Sequence, residues 1–179
     1  MAKHVLFIHG AGNQRSPAGS SKLVTYLQEQ LGRDYEVWSP DMPDPDHPRY
    51  LTWRDHVAQE LAAQEDDCLL IGHSLGGSVL LKVLAEGTFH KRIAGLFLVA
   101  VPYWSKNAEE FALPEDFAAK LPPIPCIVLY HSRNDEIVPS GHLWRYQEKL
   151  PQAIVRLLDG SEHSFLTGLP ELVRDLKNL

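Results

Sequence analysis

The chain is poor in several things, and each shortage narrows what it can be. Only two cysteines, Cys68 and Cys126, occur in 179 residues. Two thiols in a chain long enough to make its own core do not make a disulfide framework. They read as free, buried thiols in a reducing cytoplasm. Basic residues are outnumbered: 17 Lys and Arg against 23 Asp and Glu leave a net charge of −6. That balance argues against nucleic acid or an anionic membrane as the main partner. No apolar run approaches the ~20 residues that cross a bilayer. The N-terminal stretch has one Lys and four consecutive apolar residues, Val5-Leu6-Phe7-Ile8. It is too short an apolar region for a signal peptide and reads as a buried strand. There is no His-Glu-x-x-His and no paired-cysteine spacing, so no metal is expected. No Gly-x-Gly-x-x-Gly follows a strand, so no dinucleotide cofactor is expected either. Internal repeats, low-complexity tracts and linkers are also missing.

What remains is an ordinary globular composition, 44% hydrophobic and 22% charged. Its length predicts one domain over residues 1–179. Apolar runs of strand length alternate with helical spacing. Strands are expected at 3–8, 35–38, 68–71, 93–101, 125–131 and 153–158. Helices are expected at 20–31, 49–64, 75–86, 141–150 and 168–179. Leu23, Leu27 and Leu31 fall four apart, as do Trp53, Val57 and Leu61, one face of a helix each. Residues 39–48 are rich in Pro and Asp and read as a loop. Residues 102–123 are mixed, with room for one or two short helices. Continuous apolar strands separated by helices predict about six parallel strands in a three-layer α/β/α sandwich. In such a sheet the ligand sits at the carboxyl ends of the strands.

The chemistry is concentrated there. Gly72-His73-Ser74-Leu75-Gly76 follows the third strand and opens a helix. Chance supplies Gly-x-Ser-x-Gly in roughly one chain in 20 of this length, but not in this strand–helix context. Ser74 is the candidate nucleophile, and it needs a base. His163, after the sixth strand, is the first choice among nine histidines, and His131, ending the fifth, is the second. Asp135, after the fifth strand, is the expected carboxylate that orients the imidazole. Glu136 and Asp159 are alternatives. Two N–H donors are needed for an oxyanion: Leu75, after the nucleophile, and Ala11, in His9-Gly10-Ala11-Gly12-Asn13 after the first strand. His9 is expected to brace that loop. Met42, Tyr103, Trp104 and Phe111 are candidate walls of an apolar acyl pocket.

Together these residues resemble the α/β-hydrolase fold in a minimal form without a lid domain. Met42-Pro43-Asp44-Pro45 and the following helix with Trp53 resemble the small serine hydrolases of the retinoblastoma-binding protein nine family and its bacterial relatives. The animal protein's Leu-x-Cys-x-Glu stretch reads Leu61-Ala62-Ala63-Gln64-Glu65 here, so no pocket-protein partner is implied. The resemblance implies a cofactor-free serine hydrolase that cleaves short or medium acyl esters through an acyl-enzyme, with water as second reactant. Thioesterase, peptidase and lactonase chemistry share this machinery. The competing class is a non-catalytic scaffold that keeps the fold.

Overall fold

The computed structural model describes residues 2–14, 19–87, 89–104 and 110–179. Six strands form one sheet in the order β2-β1-β3-β4-β5-β6, and every pairing is parallel. The strands are β1 (Lys3–Ile8), β2 (Tyr35–Trp38), β3 (Cys68–His73), β4 (Ile93–Val99), β5 (Ile127–Ser132) and β6 (Ile154–Leu158). The helices are α1 (Ser21–Leu31), α2 (Tyr50–Ala63), α3 (Leu75–Ala85), α4 (Phe117–Lys120), α5 (Gly141–Lys149) and α6 (Pro170–Lys177). The expected three-layer α/β/α arrangement is what the chain adopts.

The layers follow from period-two alternation along strands buried on both faces. Leu6, Ile8, Leu70, Leu96, Leu98 and Leu129 face one core, with Trp53 and Val57 of α2 and Leu143 and Tyr146 of α5. Val5, Phe7, Ile71, Phe97, Val99 and Tyr130 face the other, with Leu23 and Leu27 of α1 and Leu172 and Leu176 of α6. The strand order reverses between β1 and β3, so their carboxyl ends, His9-Gly10 and His73-Ser74, flank the switch-point crevice.

Element boundaries depart from the pattern where the backbone leaves the sheet. β3 runs to His73, which pairs with Val99 of β4. β4 stops at Val99, two residues short of the apolar run, because Ala100 takes a φ of +51°. Within residues 102–123 the helix α4 forms, and positions 105–109 lie outside the described residues. Cys68 is buried and Cys126 only half-buried, and both are free thiols.

One close approach sets the site. A Cβ on Gly76, in the first turn of α3, would lie 2.3 Å from the His9 carbonyl oxygen and 2.5 Å from that of Ile8. A Cβ on Gly72 would lie 2.4 Å from the Gly77 Cα. Both obstacles are backbone, which cannot swing away as a side chain can. Gly76→Ala is therefore expected to cost about 3 kcal/mol of stability in urea unfolding. Gly141→Ala, at the first position of α5 with nothing within 4 Å of the new Cβ, serves as the control and should be neutral or slightly stabilising. A Gly76→Ala loss no larger than the control's would contradict this account.

Candidate active site

Ser74 sits between β3 and α3 with φ +50° and ψ −127°, a conformation L-residues rarely adopt. Its N–H donates to the Val99 carbonyl at 2.8 Å, and its own carbonyl accepts from Gly77 N–H at 3.0 Å. The turn thus holds the strained residue from both sides, as a nucleophile elbow does. α3 begins at the next residue, so the Leu75 and Gly76 N–H groups belong to the helix's unsatisfied first turn. That places the positive end of the helix dipole beside the Ser74 hydroxyl.

His163 and Asp135 arrive from two different loops. The Nε2 of His163 is 3.1 Å from Ser74 Oγ, and its Nδ1 is 2.8 Å from Asp135 Oδ2. The loops are stitched together beyond the ends of β5 and β6: Arg133 N–H donates to Leu158 O at 2.8 Å and Asn134 N–H to Gly160 O at 2.9 Å. The Asp135 side chain is fully buried. Its Oδ1 accepts from the Ile137 and Val138 N–H groups, both at 2.9 Å. Its two oxygens are therefore assigned to different tasks, one fixed by backbone and one facing the imidazole.

The alternatives fall elsewhere. Asp159 is 95% exposed and pairs with Arg133, and Glu136 is on the surface. His131 is buried; its Nε2–H donates to Val138 O at 2.6 Å, bracing the loop that carries Asp135. His9 braces as expected, with Nδ1 2.8 Å from Ser20 Oγ. His73 does something the sequence did not signal. Its Nε2–H donates to the His163 carbonyl at 2.8 Å, tying the loop that carries His163 to the elbow.

Ala11 lies in a loop held by three bonds. Gln14 Nε2–H donates to Gly10 O at 3.2 Å, Gln14 Oε1 accepts from Met42 N–H at 2.7 Å, and Gly12 N–H donates to Pro45 O at 2.7 Å. Trp53 Nε1–H in turn donates to Pro43 O at 2.7 Å. The Met42–Pro45 stretch thus clasps the loop that carries Ala11.

Two cavities meet at Ser74. One, of about 370 Å³, is lined by Ala11, Leu75, Trp104, Phe111, Ile137 and Val138, with Pro48, Pro102, Pro139 and His142. The other, of about 180 Å³, is lined by residues 10–14 with Ser20, His73, His163 and Ser164. Of the four expected walls, Trp104 and Phe111 line the first cavity. Met42 and Tyr103 do not: Met42 is buried in the core, and Tyr103 packs edge-on against Tyr146 with centroids 5.0 Å apart. The prolines and Ile137 were missed because a loop's own periodicity says nothing about what it faces. A larger cavity, about 790 Å³, lies at the opposite edge of the sheet beside Ile93 and Leu179, away from Ser74.

With that geometry in place, the comparison with known proteins is decisive. The family model described as serine hydrolase matches residues 5–164. This chain belongs to the serine hydrolase family. The hydrolase is 23% identical to YdeN of Bacillus subtilis (strain 168) over 181 residues, covering 95% of this chain and 92% of YdeN. The crystal structure of the ydeN gene product superposes with a TM-score of 0.81 at 22% identity, covering 99% and 98% of the two chains. The meta-cleavage product hydrolase from Pseudomonas fluorescens IP01 gives 0.74 at 14% identity, covering 99% and 89%. Est1E from Butyrivibrio proteoclasticus gives 0.71 at 16%, covering 99% and 86%. Structures this distant in sequence bear on the fold, which is the α/β-hydrolase fold. As a hydrolase, the protein takes a small-molecule substrate and water. No helix among the described residues is long and apolar enough to cross a membrane.

The neutral histidines around the site make stability depend on pH. Burial, followed by the neighbouring His163, pushes the His73 imidazole from an ordinary 6.5 down to about 3. Burial lowers His131 and His9 as well. Below about 6.5 the unfolded chain binds protons that the folded protein refuses, so stability falls as pH falls from there towards 3. His73 alone is expected to contribute about 2 kcal/mol of loss between pH 7 and pH 5. Urea titrations at the two pH values check this, with His73→Gln reducing the difference. Equal unfolding free energies at both would contradict it.

Proposed function

We propose that the protein is a carboxylesterase-like enzyme that hydrolyses short or medium acyl esters through an acyl-enzyme on Ser74. His163 Nε2 takes the Ser74 proton as Oγ attacks the ester carbonyl. The Ala11 and Leu75 N–H groups hold the tetrahedral oxyanion, and Asp135 keeps the Nδ1–H tautomer and stabilises the imidazolium. His163 then protonates the departing alcohol, and the acyl group stays on Oγ. Water, deprotonated by His163, attacks the acyl carbonyl, and the acid leaves as Ser74 regains its proton. The single observation that carries this reading is the unbroken line from Asp135 Oδ2 through His163 to Ser74 Oγ, at 2.8 and 3.1 Å.

The 370 Å³ cavity, dominated by apolar side chains, suits the acyl group, and the smaller, more polar one suits the leaving group. A fluorophosphonate probe is expected to label the wild type and to leave Ser74→Ala unlabelled. Equal labelling of both would remove Ser74 from the reaction. Asp135→Asn should lower turnover about 10⁴-fold, since it favours the wrong tautomer. Among p-nitrophenyl esters, kcat/KM should be higher for acetyl and octanoyl than for palmitoyl; preference for palmitoyl would overturn the short-acyl assignment.

A further inference from the structure

The acyl cavity has one donor too many for a plain hydrocarbon chain. Three of its lining residues, Pro48, Pro102 and Pro139, carry no N–H at all. The Ile137 and Val138 N–H groups are both taken by Asp135 Oδ1. The Trp104 indole N–H donates to Ser78 Oγ at 3.1 Å, and the Ser78 O–H donates to Pro102 O at 3.0 Å. In the proposed reaction the Ala11 and Leu75 N–H groups are committed to the oxyanion. Among the side chains of the lining, that leaves one donor besides the Ser74 hydroxyl: His142, a half-buried residue of α5.

Its protonation is fixed by the backbone. The Tyr103 N–H donates to His142 Nδ1 at 2.7 Å, so Nδ1 holds a lone pair and the proton of the neutral ring is on Nε2. Burial, then Arg145 and His131, lower the basicity of this imidazole and favour the neutral ring. Among the described residues Nε2–H has no acceptor. The ring lines the cavity, is held through Nδ1 by the Tyr103 N–H, and keeps a neutral Nε2–H as its donor among lining side chains that are mostly apolar.

We infer that His142 is a specificity-determining residue and that the preferred acyl group carries a hydrogen-bond acceptor, an oxo or hydroxy oxygen part-way along its chain, which accepts from His142 Nε2–H. This rests on the serine-esterase reading of the same site. A site built to donate to a substrate oxygen discriminates against the analogue that lacks it, because a plain chain filling the cavity displaces water from the donor and offers it no partner.

The experiment compares p-nitrophenyl hexanoate with its 3-oxo, 4-oxo and 5-oxo analogues. The wild type should favour one oxo position over hexanoate by at least tenfold in kcat/KM, after correction for spontaneous hydrolysis. In His142→Phe that ratio should fall to about one. His142→Gln, whose amide can both accept from Tyr103 and donate, should keep part of the preference and guards against a folding failure in the first variant. No oxo preference at any position in the wild type, or a preference undiminished in His142→Phe, overturns the inference while leaving the esterase reading intact. Absence of turnover of all four esters by the wild type overturns the esterase reading, and this inference with it.

Discussion

The geometry of the site depends on how closely the first turn of α3 approaches the ends of β1 and β3. Gly76 lets α3 start directly against the His9 and Ile8 carbonyls, and Gly72 meets Gly77 across the elbow. Only with that approach can Ser74 be held at φ +50° with its N–H bonded to β4. The strain is local, and the surrounding sheet determines it. The Leu75 N–H and the Ser74 hydroxyl then emerge side by side at the switch-point crevice. A side chain at Gly76 would separate the helix from β1, and with it Leu75 from Ala11.

Around this point lies a second constraint, a set of histidines kept neutral by burial. His9, His73 and His131 each use a ring nitrogen to tie down backbone or a hydroxyl. Each tie holds a different loop: the one after β1, the one carrying His163, and the one carrying Asp135. A charged ring at any of these places would need hydration that the packing denies it. The imidazole facing Ser74 is thus positioned by another imidazole that never needs to titrate.

Much of this was legible in the sequence. Strand-length apolar runs separated by helical spacing fix a parallel sheet, and a parallel sheet brings every post-strand loop to one edge. Ser74, Asp135 and His163 each follow a strand, so topology alone makes them neighbours. The bracing histidines were harder to read, because their partners are carbonyls on loops 90 and 7 residues away in the chain. Met42 was expected as a pocket wall because it is apolar and near the site. Its backbone N–H instead joins Gln14, and its side chain is in the core. The Met-Pro-Asp-Pro motif matters through main-chain groups, which composition does not reveal. The end of β4 was misjudged for a related reason: an apolar run continues past the point where Ala100 turns the chain away.

The two cavities have a consequence for the order of events. One cavity is apolar, and the other is more polar and small, about 180 Å³. In the proposed chemistry, both the departing alcohol and the incoming water need the polar side, next to His163. They cannot occupy it together at the same carbonyl. In that scheme the alcohol vacates before water is aligned, so the start of deacylation would wait on the departure of the leaving group. In that scheme a second alcohol that fits the vacated space would compete with water for the acyl group, and acyl exchange would accompany hydrolysis.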